Sequence, residues 1–336
     1  MLRGIAIIMV VTIHCFGIVY SDGLLDFAAV VSRNILNCAV PIFCVSSAYF
    51  LYSKDLTYGK YVPFLKRQIP KVYLPMLFFS LGWLLLDLSK GQSIIKGVAR
   101  LIFCDYSMYY FVAVVIQFYL LLPLLKKMQL GGVKTIYTYI HFVIGMIFTI
   151  AYMLCYTYII RGYYHLDVSL LLYAGPILCH WIYFVLGCML SKKSPTLPAK
   201  ILILLVALSV VLMYYESCFL MTTPGSLSGV GIKGSSVLYS TFICMLLFAN
   251  PCKCENAVSL LIAKLGRYSF GIYLSHVFII HILGKITADV FFSDISLGFR
   301  LFLWLILSMI VVSVNFSLLI IVKKYFPAFS KRFVGV

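Results

Sequence analysis

Charge is what this chain has least of. Its 336 residues include 27 Lys and Arg and only 10 Asp and Glu, 11% charged in all, where a soluble chain of this length would carry roughly 84 charged residues. That deficit excludes a soluble domain, a disordered chain and a disulfide scaffold. Acids are scarcest inside the apolar stretches and stand only at their ends, which weakens a proton- or sodium-coupled pump, because such pumps normally bury a carboxylate. There is no G-x-S-x-G elbow, Walker A loop or H-E-x-x-H, and no apolar stretch holds a pair of carboxylates. Internal repeats, low-complexity tracts and long linkers are also missing, so residues 1–336 read as a single domain. The 11 cysteines are scattered along apolar runs as small hydrophobes, for example Cys38, Cys44, Cys155, Cys179, Cys188 and Cys244. Cys252 and Cys254 form a C-x-C with no second pair nearby, so neither zinc nor a disulfide is expected.

What is there is hydrocarbon. Residues of the AVILMFWYC set make up 63% of the chain, and the mean hydropathy is +1.05. Ten uncharged stretches are bounded by charge: Gly4–Ser21, Asn34–Ser53, Val72–Leu86, Tyr106–Leu125, Thr135–Ile160, Val168–Ser191, Ile201–Tyr215, Gly234–Cys252, Tyr268–Gly284 and Leu301–Val322. A bilayer-crossing helix needs ~20 mostly apolar residues, so the two shortest are expected to extend past Asp87 and Glu216. The runs are continuous rather than alternating, which selects helices over a membrane β-barrel. The expected fold is an all-α polytopic membrane bundle of about ten transmembrane helices.

Ten spans place both termini on one side. That side would hold 19 cations and two acids, and the other side eight of each. The whole net charge of +17 then sits on one face, which the positive-inside rule makes cytoplasmic. The basic balance is thereby explained by topology, and no nucleic-acid partner is expected. Gly4–Ser21 is longer than a signal-peptide core and lacks a small-residue cleavage site, so it reads as a retained helix. Ser217–Ser236, with Pro224 and four glycines, reads as an external loop.

Five histidines fall within the spans: His14, His141, His180, His276 and His281; His165 falls in an external loop. Any one of them could be a satisfied interhelical hydrogen bond. His14 is better placed. Eleven residues separate it from Arg3, about 20° past three full helical turns, so the two share one face roughly 16 Å apart. A surface cation and a mid-membrane imidazole on one stripe suit a ligand with a charged head and a reactive tail, although Arg3 alone could be a snorkelling anchor. His276 lies nine residues beyond Arg267 and reaches a similar depth from the same side. The loop from Ser53 to Lys71 carries five cations, of which Lys66, Arg67 and Lys71 lead into the third span. These suit a phosphate-bearing ligand or anionic lipid headgroups. Imidazole acid–base chemistry beside cationic clamps suits acyl transfer from a phosphate-bearing donor.

The stretch from Arg3 to His14 resembles the R-x10-H first helix of the acyltransferase-3 family of integral membrane acyltransferases. Val40-Pro-Ile-Phe-Cys-Val-Ser-Ser-Ala-Tyr49 resembles the family's VPxFFxxSGY segment, and Lys66-Arg67 through Lys71-Val-Tyr-Leu-Pro75 its basic run. Tyr109-Tyr-Phe-Val through Pro123 is similar to its WFL…YLLLP helix, and Ser269-Phe-Gly-Ile-Tyr-Leu-Ser-His276 to its late SFGIYLxH signature. The resemblance implies an O-acyltransferase of the bacterial cytoplasmic membrane. Such an enzyme moves an acyl group, usually acetyl, from acyl-CoA to a surface or exported glycan, directly or through an acyl-histidine. It further implies that His14 is the acid–base residue, that Arg3 helps hold the donor, and that Arg67, Lys71 and Lys66 meet the CoA phosphates. His276 and Tyr273, with Ser47 and Tyr49, form a candidate second site.

Acetyl-CoA is expected as a donor substrate, with no resident cofactor and no metal. The expected partners are the glycan, the bilayer and polysaccharide-synthesis machinery. Three departures stand out: only Met1 and Leu2 precede Arg3, so the start is expected to be late or truncated; Ala48 replaces a glycine, which argues against close backbone packing there; and Lys71 replaces an arginine, losing its planar fork. A glycan transporter or flippase, or a non-catalytic partner in a synthesis complex, are the alternatives.

Overall fold

The computed structural model describes residues 1–20, 27–54, 56, 58–128, 135–164, 166, 169–192, 197–222, 230–249, 256–287 and 295–336. The chain is all-α, with no strand among the described residues. Its helices are α1 Leu2–Val19, α2 Phe27–Ile35, α3 Ala39–Tyr52, α4 Tyr58–Ser89, α5 Ile94–Ile102, α6 Tyr110–Lys127, α7 Thr135–Leu154, α8 Leu170–Ala174, α9 Trp181–Ser191, α10 Ala199–Thr222, α11 Gly234–Ala249, α12 Ala257–Ile286 and α13 Leu297–Tyr325. Among the described residues, eight helical segments are long and apolar enough to cross a membrane, and the apolar helices Ile177–Ser191 and Gly234–Ala249 are shorter. Together these ten correspond one to one with the ten uncharged stretches.

The differences from the sequence reading have local causes. The third and seventh spans do run past Asp87 and Glu216, as α4 and α10. Ser217–Thr222 continue α10 rather than opening the glycine-rich loop. Val168–Ser191 is broken at Pro176, which has no N–H to continue a helix. Gln117 of α6 bridges the break, its Nε2 donating to the Gly175 carbonyl at 2.8 Å and its Oε1 accepting from the Ile177 N–H at 3.0 Å. A 3-10 turn at Leu36–Cys38 separates α2 from α3. His165, Cys252 and Cys254 lie outside the described residues.

Two compact units divide the chain, Met1–Phe43 with Thr157–His165 and Thr196–Ile321, and Cys44–Tyr156 with Leu166–Pro195 and Val322–Val336. In the second, α4 packs on α5 and α6, and α7 on α9. Phe118 and Phe184 stack at 4.1 Å. Ala48 was expected to hold its neighbours off, yet a Cβ on Gly187 of α9 would lie 2.5 Å from both Ala48 Cβ and the Val45 carbonyl oxygen. The approach is close, and α9 rather than α3 supplies the missing side chain.

In the first unit, the core is α1 against α12, flanked by α13. Between lipid-embedded helices there is little hydrophobic drive, so small residues that let backbones touch decide where they cross. A Cβ on Gly4 would stand 1.9 Å from the Ile262 carbonyl oxygen, and one on Gly266 would stand 3.0 Å from the Gly4 nitrogen. Two glycines therefore meet at the crossing. Beside the crossing, the Trp304 indole N–H of α13 donates to the Thr12 carbonyl at 2.7 Å, and its ring meets Phe16 edge-on at 5.3 Å.

Gly4→Val would drive a branched side chain into the Ile262 backbone and is expected to destabilise the protein by about 1–3 kcal/mol or more. Gly17→Ala, where an added Cβ meets nothing within 4 Å, should leave the melting temperature in detergent unchanged. Equal melting temperatures for both variants would show that the glycine crossing is not tight.

Candidate active site

The crossing sets the register of everything above it. His14 is ten residues beyond Gly4, and His276 is ten residues beyond Gly266. The two helices run parallel from that point, so both imidazoles climb about 15 Å and meet. Their ring centroids are 5.4 Å apart, tilted by 47°. His276 is fully buried, and its Nδ1 lies 3.0 Å from the Ile272 carbonyl oxygen. A carbonyl only accepts, so Nδ1 carries the proton and Nε2 presents a lone pair. That Nε2 has no hydrogen-bond partner among the described residues. Beneath it, the buried Tyr273 ring lies 6.3 Å away, and Ser275 ties α12 to α13 through Asn315 at 2.7 Å.

The other predicted positions separate clearly. Arg3 is exposed at the foot of α1, on the stripe that carries His14. Lys66, Arg67 and Lys71 are exposed along α4, with Arg67 and Lys71 one turn apart; Ser47 and Tyr49 are half-buried on α3. These five belong to the second unit. His180 has the bland role open to any membrane histidine, its Nε2 lying 2.9 Å from the Ala174 carbonyl. Among the histidines of the described residues, the ring contacts bring together only His14 and His276.

A polar cluster in the first unit was missed. Arg33 Nη1 donates to Asn37 Oδ1 at 2.7 Å and to Asn34 Oδ1 at 3.5 Å. Asn34 donates to Ser217 Oγ at 3.2 Å, and Asn37 donates to the Gly231 carbonyl at 2.8 Å. Gly231 has φ +114°, which a side chain would strain, and its N–H returns a bond to Asn34 Oδ1. Glu216 accepts from Tyr158 at 3.0 Å and from the Ser235 N–H at 2.9 Å, and the Ser235 hydroxyl donates to it as well. One signal was available, since Arg33, Asn34 and Asn37 are spaced i, i+1, i+4 at the end of an otherwise apolar run.

A family model described as an acyltransferase domain, that of the acyltransferase-3 family, matches residues 1–322 of the 336. The chain belongs to the acyltransferase-3 family. Neither a curated protein nor a solved structure matches it. As a member of this family the chain is a multi-pass membrane acyltransferase, and the paired imidazoles are the arrangement within it best suited to acid–base work. A neutral ring with a bare nitrogen accepts a proton, and a second ring within reach shares the resulting charge.

Lys233, only 2% exposed, gives a measurable consequence. Burial pushes its ammonium down to about 8, against the upward pull of Glu216 and with the downward push of Arg33. In the unfolded chain it titrates near 10.4. Between those values the unfolded chain holds a proton that the folded chain has lost, so stability rises with pH across that window. The melting temperature of the wild type relative to Lys233→Gln should therefore climb between about pH 8 and 10. A constant difference would put the ammonium in water.

Proposed function

We propose that this acyltransferase moves an acetyl group from acetyl-CoA to a hydroxyl of a surface or exported glycan, with His14 as the general base. The observation that supports this reading is the 5.4 Å pairing of His14 with His276. In the proposed step the acceptor oxygen attacks the thioester carbonyl as His14 takes the hydroxyl proton. The new C–O bond forms, the C–S bond breaks, and the proton passes to the departing CoA thiolate. His276 acts through His14. Its Nδ1–H is committed to the Ile272 carbonyl, which leaves the Nε2 lone pair available to stabilise the positive charge that forms on His14.

Arg3 is proposed to hold the donor's anionic part at the foot of α1; Lys66, Arg67 and Lys71 on α4 are separately proposed as a phosphate-binding group. Arginine and lysine at a membrane surface recognise phosphate by charge-assisted hydrogen bonds. The bacterial cytoplasmic membrane is the proposed location, with the cation-rich ends of the spans inside.

Purified protein with labelled acetyl-CoA and surface polysaccharide tests the reading. His14→Ala is expected to reduce transfer by about 10²–10⁴-fold without lowering the melting temperature, and full transfer by that variant would remove the mechanism. Arg3→Ala and Arg67→Ala are each expected to weaken acetyl-CoA binding roughly tenfold. If both bind as the wild type does, these cations are topology anchors instead.

A further inference from the structure

The glycine crossing holds α1 and α12 together at their feet, whereas the rings of His14 and His276 meet about 15 Å higher. Angles between packed helices scatter by about 15–20°. At that height a change of only about 8° carries one helix roughly 2 Å away from the other. Contact at the foot therefore does not by itself keep the imidazoles 5.4 Å apart. The upper parts of the two helices need a hold of their own.

α13 supplies it with a hydrogen bond to each helix. The Trp304 indole N–H donates to the Thr12 carbonyl at 2.7 Å, two residues before His14. The Ser275 hydroxyl, one residue before His276, donates to Asn315 Oδ1, also at 2.7 Å. Asn315 is set for this by its own helix: its Nδ2 donates to the Val311 carbonyl at 2.7 Å, which leaves Oδ1 to accept from α12. Trp304 and Asn315 are eleven residues apart, about 20° past three full turns, and so share one stripe of α13. That stripe is buried at both residues and at Ser308 and Val311 between them. Neither bond involves an imidazole, so both histidines stay open to chemistry.

We propose that α13 is a brace for the histidine pair, with Trp304 and Asn315 as positioning residues that stop α1 and α12 from splaying at the level of His14 and His276. Its consequence for the reaction rests on the acyl-transfer reading above; its geometric role does not.

Asn315→Leu and Trp304→Phe in the full chain, reconstituted in bilayers, test the brace. Both keep an apolar filling and strand no polar group. Ser275 retains the Gly271 carbonyl of its own helix at 2.9 Å, and the Thr12 carbonyl retains its place in the α1 ladder. Solid-state NMR of ring-labelled histidines, with His14→Gln assigning the signals, reads the contact directly. The wild type is expected to show a His14–His276 cross-peak, and each variant to lose most of it. Transfer from labelled acetyl-CoA reads the consequence. The turnover number kcat should fall about 10–100-fold, while KM for acetyl-CoA stays within about twofold. Because Ser275 and Asn315 share one bond, Ser275→Ala with Asn315→Leu should be no slower than Asn315→Leu alone.

An undiminished cross-peak in both variants would overturn the brace, and so would additive losses in the double variant. A lost cross-peak with kcat unchanged would overturn the positioning role in catalysis. If the wild type transfers no acetyl group, the acetyl-transfer reading alone falls, since the cross-peak still reports on the brace.

Discussion

The first unit depends on the close approach of α1 and α12 at Gly4 and Gly266. In lipid, two helices gain little by hiding apolar surface from each other, because the solvent is as apolar as the side chains. Contact has to come from fit. A Cβ on Gly4 would sit 1.9 Å from a backbone oxygen, so glycine alone permits this crossing, and the crossing fixes translation and rotation together. Equal ten-residue offsets then carry His14 and His276 to the same height. Parallel direction matters as much as proximity, since antiparallel helices crossing there would send the two rings to opposite membrane faces.

The same unit shows how a membrane fold holds polar chemistry without losing integrity. Several buried polar groups are matched by a specific partner: the Trp304 indole by the Thr12 carbonyl, Ser275 by Asn315, Asn37 by the Gly231 carbonyl. The Nε2 of His276 is buried with no hydrogen-bond partner among the described residues. An imidazole nitrogen left bare in an apolar surrounding is unfavourable for stability and useful for proton transfer. His14 beside it is half-buried.

Much of the architecture was legible because the bilayer is a simple solvent. Interrupted apolar runs of fixed length map onto helices whatever the tertiary fold, so all ten stretches reappear. The 3.6-residue period placed Arg3 and His14 on one stripe before any packing was known. The extension of α10 past Glu216 was expected, but Ser217–Thr222 were read as the start of a glycine-rich loop and are helical. A carboxylate tolerates that depth only when Tyr158 and Ser235 satisfy it, and neither is near it in sequence. Ala48 was misread for a related reason: a close contact needs one small residue at the crossing, and Gly187 on another helix provides it.

Sequence by itself determined the class of solvent, the number of apolar segments and the family, because these follow from composition and from residues close together along one helix. Tertiary structure alone decided that His14 faces His276 and that Arg33, Asn34 and Asn37 gather around Gly231. Each of these depends on helices distant in sequence meeting at a particular register. The steric fit of two glycines sets that register for the histidine pair, and hydropathy, which averages over a window, cannot encode it.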